Sequence, residues 1–445
     1  MNSSDSAAVS ASDTIPKRAH ADFLQSELLA PCRDPESGIV SYVLTPVGTS
    51  AGEARLATLQ QSFYYVNPSL WLGTESKPAA KYWFMCAWPP SDMRLIALAD
   101  FTTGRVKVFS DASNCSPASN VPMLHPETGE VYWANTNGIW KLAADFSSSP
   151  EYVNAFTQDV LNNRRLQYYA SHLTLDADGA SLGIDARIGS QIYMGHAPLD
   201  GSPVEIWNTS RRLYNHGQCN PRRPGIMLQA QENQIDQDTG QVTYKDNRMW
   251  ISRRSSSDAR EATFFPVYPR SLRFLVDDSY RPVATNPHLA TAHRVVRDEP
   301  RQMHGHEWWS GDGEYIYYIH YQTGIERTPL ATAGTEDALP ELVWPHKTVS
   351  HAHTSPCGNY LVLDSLPPDD PDAQHVRFVN LVTRREVDIV SHMAMPAARF
   401  RAYHPHSHPQ FCGPHGEYIC YSRIQPNETI DVAFVRVDDL IEATS

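Results

Sequence analysis

The stretch EWWSGDGEYIYYI at 307–319 contains the pattern that decides the fold, a turn built on Gly313 between two runs rich in aromatic and branched apolar residues. Four further stretches repeat it, each with an Asp-Gly, Thr-Gly or Pro-x-Gly turn ahead of such a run. Short β-rich runs separated by turn residues predict antiparallel strands. The four stretches are MLHPETGEVYWAN (123–135), LTLDADGASLGID (173–185), HTSPCGNYLVLDS (353–365) and PQFCGPHGEYICYS (409–422).

The spacing of these turns is that of a repeat protein. Their glycines are 50, 134, 45 and 58 residues apart, and a degraded copy at 220–231 lies inside the long interval. A period of about 40–50 residues is typical of propeller blades, and the span from Val47 to Val437 has room for about seven of them. We therefore predict an all-β chain that folds as a seven-bladed β-propeller. Two packed β-sandwiches, or a two-domain all-β enzyme, are the alternatives. The turn glycines are Gly129, Gly179, Gly313, Gly358 and Gly416.

The domain organisation follows from the limits of the repeat. Residues 1–40 are predicted to form a polar leader with a short amphipathic helix near 19–30, and residues 41–445 a single propeller domain. The first residues lack the apolar run of a secretory signal, and no later stretch reaches the ~18 apolar residues of a membrane span. Seven cysteines without a CxxC pair indicate reduced thiols. We expect a cytoplasmic protein.

The charge of the chain limits its partners. With a formal charge of −13, the sequence disfavours nucleic acid and anionic membranes, because both bind basic surfaces. A small acidic substrate remains compatible, since a pocket can be positive while the whole protein is negative.

Histidines are the residues most suggestive of chemistry. Nineteen are present, and many directly precede the repeated turns, where the innermost strands of a propeller would converge on its central channel. Alternate residues of a strand point the same way, so the pair His406 and His408 is suited to gripping one metal ion. The alternative is that these are polar channel residues bonded to water and main chain. The histidines are His172, His216, His304, His306, His351, His353, His404, His406 and His408.

Several segments resemble those of oligogalacturonate lyases. HGHEWWSGDGEYIYY (304–318) is similar to their GHEFW-SPDG segment, and YNHGQCNPRRPGIML (214–228) to their N-H-x-Q-F-x-P segment. NRMWIS (247–252) resembles their R-I-W strand and HSHPQF (406–411) their H-P-H-P-x-F element, in the same order along the C-terminal half. The resemblance implies a seven-bladed propeller that degrades short pectic oligomers inside the cell.

The same resemblance implies a divalent metal, typically manganese, held by three histidines and a glutamine. The histidine ligands fall on His306, His406 and His408. Tyr403 occupies the position of the glutamine, so His404, Gln410 or a water is needed to complete the set.

The implied reaction is β-elimination on an acidic oligosaccharide. A base removes the proton on C5 of a uronate, and a divalent cation with an arginine neutralises the adjacent carboxylate. His216 is the candidate base, since neutral imidazole suits this task near pH 7. Arg187 is the candidate arginine, with Arg211 and Arg222 as alternatives.

Two residues are assigned to substrate binding, Gln218 and Arg222. Gln218 lies two residues after His216 on the same strand face. Each of these polar residues also has a purely structural interpretation. Two alternatives remain for the whole chain, a related lyase acting on another uronate-containing oligosaccharide and a non-catalytic propeller scaffold.

Overall fold

Nearly all of the regular secondary structure in the computed structural model is β-strand. It describes residues 22–44, 59–74, 76–88, 94–109, 121–235, 242–243, 245, 247–254, 262–268, 304–321, 323–335, 337–365, 373–394, 406–425 and 429–445. Its helices within these ranges are a 3₁₀ helix at Phe23–Gln25, α1 at Gln158–Leu161 and α2 at Val437–Ala443. Where the sequence indicates a helix near 19–30, the structure therefore has one 3₁₀ turn followed by a strand.

The first half of the chain supplies sixteen strands within the described residues. β8 to β11 form a four-stranded sheet and β12 to β16 a five-stranded one, while β1 to β7 belong to a larger sheet. The strands are β1 (Leu29–Arg33), β2 (Val40–Leu44), β3 (Leu59–Gln61), β4 (Leu70–Gly73), β5 (Pro78–Ala87), β6 (Arg94–Asp100), β7 (Arg105–Phe109), β8 (Met123–Leu124), β9 (Val131–Asn135), β10 (Gly138–Leu142), β11 (Glu151–Asn154), β12 (Leu166–Tyr168), β13 (Thr174–Leu175), β14 (Ser181–Ile188), β15 (Gln191–Pro198) and β16 (Glu205–Ser210).

The second half continues the antiparallel pattern. β17, β18, β21 and β22 form one sheet, β23 to β26 another and β27 to β30 a third, and β19 pairs with β20. The strands are β17 (Tyr214–Cys219), β18 (Ile226–Gln231), β19 (Gln234–Ile235), β20 (Val242–Thr243), β21 (Met249–Arg254), β22 (Ala262–Pro266), β23 (His304–Trp309), β24 (Tyr315–His320), β25 (Gly324–Pro329), β26 (Glu341–Pro345), β27 (Val349–Thr354), β28 (Tyr360–Ser365), β29 (Ala373–Asn380), β30 (Arg385–Ala394), β31 (Gln410–Cys412), β32 (Tyr418–Ile424) and β33 (Ile430–Arg436).

A ten-stranded sheet joins the two ends of the chain. β2 pairs antiparallel with β33, with Tyr42 opposite Phe434, and β33 also pairs with β32. β3 links this group to β5, because Leu59 pairs in parallel with Ile430 and antiparallel with Ala87. The all-β prediction is confirmed, and the early strands complete a sheet made by the last ones.

The repeated sequence pattern forms the same turn in three of its copies, which begin at Asp176, Ser310 and Ser355. In the copy at 307–319, Ser310 donates its N–H to the oxygen of Tyr315, and Gly313 donates to the oxygen of Ser310, each at 2.9 Å. Gly313 has a φ of +71°, a left-handed conformation that favours glycine. The copy at Ser355 has the same two bonds, and its Gly358 has a φ of +74°.

Apolar clusters lie between sheets that follow one another in the chain. One cluster packs Tyr317 and Ile319 of β24 against Leu361 and Leu363 of β28. Because both faces of these strands are buried, each sheet packs against the sheet before it and the sheet after it. The first strand of each sheet then lies toward a common centre. Those first strands carry the histidines predicted from the sequence.

Candidate active site

An irregular stretch of chain, residues 62–68, occupies the centre where the first strands of the sheets meet; we call it the central segment. Nδ2 of Asn67 donates to the main-chain oxygens of Pro122 and Leu173, at 2.9 and 2.8 Å. From the opposite side, Nε2 of Gln410 donates to main-chain oxygens of the central segment. The segment therefore ties together sheets that are distant in the sequence.

Local bulges in the first strands place site histidines in the centre. In β17, His216 and Gly217 lie opposite a single residue of β18, and in β23, His306 and Glu307 lie opposite a single residue of β24. His216 and His306 have φ angles of +55° and +51°, and His408 has +42°. Left-handed backbone is unfavourable for histidine, and it persists where the surrounding structure enforces it, as at functional sites.

The bulge at His216 is held by a buried carboxylate. Oδ1 of Asp185 accepts the main-chain N–H of Ser171 at 2.6 Å, and Oδ2 accepts the N–H of Gly217 at 3.0 Å as well as the Ser171 hydroxyl. Oγ of Ser171 in turn accepts the N–H of His216 at 2.6 Å. Desolvation raises the pKa of Asp185, although these hydrogen bonds oppose that change.

The bulge at His306 is held through the residue that follows it. The main-chain oxygen of Glu307 accepts bonds from the Tyr65 hydroxyl at 3.1 Å and from Nε2 of Gln218 at 2.7 Å. The Glu307 carboxylate pairs with Arg248, which also pairs with Glu232. Gln218, assigned to substrate binding from the sequence, thus uses its amide to support β23.

Four imidazole rings cluster beside this bulge. The ring centroid of His351 lies 4.1 Å from that of His306, 4.5 Å from His408 and 5.0 Å from His406, and the His406 and His408 rings are 5.3 Å apart. His406 is exposed, His306 is half-buried and the other two are buried. The structure therefore brings the three predicted ligands together, with His351 among them.

The chemistry of this donor set fits a divalent transition metal. Burial lowers the pKa of His306 and His408 well below its usual value, and the neighbouring histidines lower it further. Both rings are therefore neutral at neutral pH, which is the state that binds metals. Nδ1 of His408 is buried without a hydrogen-bond partner among the described residues.

Tyr64 connects this cluster to His216. Its ring stacks on His172 with centroids 4.3 Å apart, and it lies 5.0 Å from the ring of His408 and 6.1 Å from that of His216. Its hydroxyl is 3.2 Å from Nδ1 of His306. Tyr64 therefore lies between the candidate base and the candidate ligands, a position that the sequence pattern does not indicate.

The imidazole ring of His216 is neutral at neutral pH. Burial lowers its pKa to about 4, with a further contribution from the charge of Arg248, while Glu307 and Glu232 oppose the shift. At neutral pH the ring therefore has a free lone pair with which to accept a proton.

The arginine buried at the centre is Arg248, which belongs to the NRMWIS stretch and to which the sequence pattern assigns no role. Its guanidinium pairs with two carboxylates, and it is 8% exposed. Arg187 is half-buried in β14, two residues along the same strand face from Asp185. Arg211 is exposed, and Nε of Arg222 donates to the oxygen of Gly311 at 3.1 Å.

A cavity of about 480 Å³ is bordered by part of the central segment, Val66 to Pro68. Its wall is formed by residues that follow the histidines along their strands and by the repeated turns. The four clustered imidazoles do not line it, so the cavity and the histidine site are distinct. Gln218 and Arg222, both assigned to substrate binding, line the cavity together with Asn67, Leu173, Trp308 and His353.

Two groups of side chains among the described residues have metal-binding atoms close enough together to hold one ion, and neither includes a member of the four-histidine cluster. In each, the ligand atoms lie within 4.8 Å of one another. In one of them, Nδ1 of His320 and the hydroxyl of Tyr318 are each 2.9 Å from an oxygen of Glu326, so this carboxylate already has partners. The groups are Asp176, His196 and Cys219, and His304, His320 and Glu326.

Comparison with solved structures identifies proteins of the same fold. An oligogalacturonate lyase in complex with manganese matches with a TM-score of 0.62 over 92% of this chain and 96% of its own, at 12% identity. An oligogalacturonate lyase from Vibrio parahaemolyticus matches with a TM-score of 0.61 over the same shares, also at 12% identity. No protein-family model and no curated protein matches the sequence.

The resemblance drawn from the sequence is therefore confirmed at the level of fold. The chain has the all-β fold of the oligogalacturonate lyases, and the likeness extends to the N-terminal half, where the sequence offered only its repeat. Among the described residues, no helix has the length and apolar character needed to cross a membrane.

Proposed function

We propose that this protein is a metal-dependent lyase that cleaves oligogalacturonides by β-elimination to unsaturated uronates. The observation that carries the proposal is the meeting of His306, His406 and His408 beside a neutral His216, in a chain with the fold of oligogalacturonate lyases. A scaffold that only binds proteins has no need of strained histidines in its interior.

The proposed architecture is a single seven-bladed propeller. It begins before the boundary at residue 41 that the sequence suggests, because β1 (Leu29–Arg33) pairs with β2 in the same sheet, and the proposed leader comprises only the residues before β1. Seven apolar clusters within the described residues support the propeller, since each lies between two consecutive strand groups. The groups are β4–β7, β8–β11, β12–β16, β17–β22, β23–β26, β27–β30, and β31–β33 with β1–β2. The last group packs against the first, which closes a ring. The ten-stranded sheet then comprises two blades connected through β3.

The proposed metal ligands are His306, His406 and His408, and manganese is the proposed ion because it is bound in the lyase with the same fold. When bound, a divalent ion supplies Lewis-acid stabilisation of the charge that develops beside the uronate carboxylate. His404 and Tyr403 lie outside the described residues. Gln410, the other candidate for completing the set, is 3.3 and 3.4 Å from main-chain oxygens of the central segment, to which its amide donates.

The proposed base is His216. In the elimination, its ring accepts the proton from C5 of the uronate, the C4–O bond breaks, a C4–C5 double bond forms, and the departing oxygen is protonated. Asp185 and Ser171 fix the position of the ring through the main chain. The Tyr64 hydroxyl, beside His306, keeps that ring in one orientation.

The substrate is an acidic oligosaccharide in this proposal. Arg187 balances its carboxylate, and Gln218 and Arg222 contact the sugar from the neighbouring cavity. Neither nucleic acid nor membrane is a proposed partner. A cytoplasmic location is supported by the six cysteines that the structure describes, all of which are free thiols.

The test follows the ultraviolet absorbance of conjugated unsaturated uronates during incubation with digalacturonate, trigalacturonate and glucuronate-containing oligomers. We expect a rise with galacturonates that a chelator abolishes and added Mn²⁺ restores. His216→Ala should lower kcat by at least ~10²-fold, the usual contribution of a general base. His392→Ala is the matched control, because His392 is an exposed histidine paired with Glu36.

The outcomes separate the possible functions. A rise only with glucuronate-containing oligomers would assign the chain to a related lyase of different substrate. No rise with any acidic oligomer, from protein that carries metal, would contradict the elimination and favour the scaffold.

A further inference from the structure

His351 lies at the centre of the histidine cluster, although the family resemblance does not make it a ligand. Its ring contacts those of His306, His406 and His408, at centroid distances of 4.1, 5.0 and 4.5 Å. It is 2% exposed. His351 is thus the ring that contacts all three proposed ligands.

Asp364 fixes both the position and the tautomer of this ring. It is the cross-strand partner of His351 in β28, and its Oδ1 accepts the main-chain N–H of His351 at 2.7 Å. Nδ1 of His351 is 3.1 Å from each carboxylate oxygen. Since a carboxylate can only accept, Nδ1 carries a proton, and in the neutral ring Nε2 is the nitrogen with the free lone pair. A buried carboxylate behind one ring nitrogen is the usual support of a metal-binding histidine.

We propose that His351 is a fourth imidazole ligand of the divalent ion, oriented by Asp364. This inference rests on the proposed metal site, and it addresses the glutamine that the sequence replaces with Tyr403. With the Gln410 amide directed to the central segment, the His351 ring is a described donor group that contacts all three histidines.

A fourth imidazole changes which ion the site prefers. Amide oxygen is a hard donor that suits manganese, whereas imidazole suits zinc and related transition metals. A site of four histidines should therefore favour Zn²⁺ over Mn²⁺ more strongly than a site of three histidines and a glutamine. Replacing His351 with glutamine recreates the second kind of site in this chain.

The experiment measures metal affinity directly, without substrate. Apoprotein of the full chain is titrated calorimetrically with Zn²⁺ and with Mn²⁺, for wild type, His351→Gln, His351→Ala and Asp364→Asn. His375→Ala is the matched control, because His375 lies in the same sheet and faces a carboxylate, Asp388, at 3.7 Å. Circular dichroism and thermal unfolding establish which variants remain folded.

We expect Asp364→Asn to weaken Zn²⁺ binding ~10–100-fold and His351→Ala to weaken it at least as much. His351→Gln should lower the ratio of Zn²⁺ to Mn²⁺ affinity by ~10-fold or more. Wild-type affinity in folded His351→Gln and Asp364→Asn, with an unchanged ratio, would overturn the inference and leave the lyase proposal standing. Absence of metal binding by wild type would refute the metal site itself, and with it the proposed function.

Discussion

Asp185 is the residue that most clearly acts on the candidate base from a distance. Its carboxylate accepts two main-chain N–H groups and one hydroxyl at the His216 bulge. It is fully buried, so loss of any of these bonds leaves a donor without a partner, at a cost of about 1–3 kcal/mol each. Asp185 is therefore a positioning residue for His216.

Replacing Asp185 with asparagine tests this. The asparagine amide keeps one acceptor oxygen, but an NH₂ group replaces the other oxygen. That NH₂ group is a donor and would face the N–H of Gly217 or of Ser171. We expect kcat for elimination to fall ~10–100-fold, which corresponds to about 1.4–2.8 kcal/mol of the barrier, with unchanged metal affinity. Asp178→Asn, in an exposed turn nearby, is the control. A parallel loss of metal affinity and activity would instead indicate general damage to the site.

Individual residues show which parts of the candidate site the sequence predicts and which it does not. Histidines before a repeated turn stand out in the sequence, and the resemblance to oligogalacturonate lyases is what selects His216, His306, His406 and His408 among them. Arg248 was overlooked because a lone arginine in a strand has no pattern, and its burial depends on carboxylates 16 and 59 residues away. His351 stands before a repeated turn like the others, but its contacts depend on how β23, β27 and the residues just before β31 meet.

At the scale of elements, the repeated turn is the feature that the sequence specifies best. Gly313 and Gly358 adopt the same left-handed backbone in equivalent turns. Their surroundings differ, since a Cβ on Gly313 would collide with the Asn220 side chain, whereas a Cβ on Gly358 would meet nothing within 4 Å.

This difference predicts unequal effects of the same substitution. Gly358→Ala should destabilise the protein by about 1–2 kcal/mol, the cost of left-handed backbone for a residue with a Cβ. Gly313→Ala carries the same cost and must also displace Asn220, which donates to the oxygen of Gly313 at 2.8 Å. We therefore expect a larger loss of unfolding free energy for Gly313→Ala in urea denaturation. Equal losses would show that the contact with Asn220 adds nothing.

The central segment is the element that the sequence could not predict. Residues 62–68 have no repeat signal, and their partners include residues about 55 and 106 positions away in the chain. Strand patterns are local, whereas the role of this segment exists only once the sheets surround it. The closing pairing of β2 with β33 likewise depends on both ends of the chain.

At the scale of the whole molecule, the charged side chains at the centre of the fold nearly balance one another, although the whole chain has a net charge of −13. Arg248 faces Glu232 and Glu307, so its positive charge is already balanced by the protein. Burial lowers the pKa of the adjacent Lys245 to about 8, so this side chain still carries a positive charge at neutral pH, and the two cations are matched by the two carboxylates. An acidic substrate therefore gains little from these side chains, which agrees with a bound cation being required to receive its carboxylate.

Buried neutral histidines also determine how the fold responds to acid. Burial lowers the pKa of His196 and His304 to about 3, and of His353 to about 4, from the ordinary value of 6.5. Below pH 6.5 the unfolded chain binds protons at these residues while the folded chain does not. Their contribution to stability is therefore complete above pH 6.5 and is lost as the pH falls towards the folded values, by about 2 kcal/mol per histidine over 1.5 pH units.

Two buried carboxyls act in the opposite direction. Burial raises the pKa of Asp176 and Asp431 to about 6, so protonation between pH 7 and 5 returns part of the lost stability. The histidines outnumber them, and we expect the unfolding free energy of metal-free protein to fall by several kcal/mol from pH 7 to pH 5, measured by urea denaturation with a chelator present. His304→Gln should reduce this slope, because it removes one group that must stay neutral. Stability that is constant or rising over this range would contradict the burial of neutral histidines, and with it the argument that the ring of His216 is ready to accept a proton.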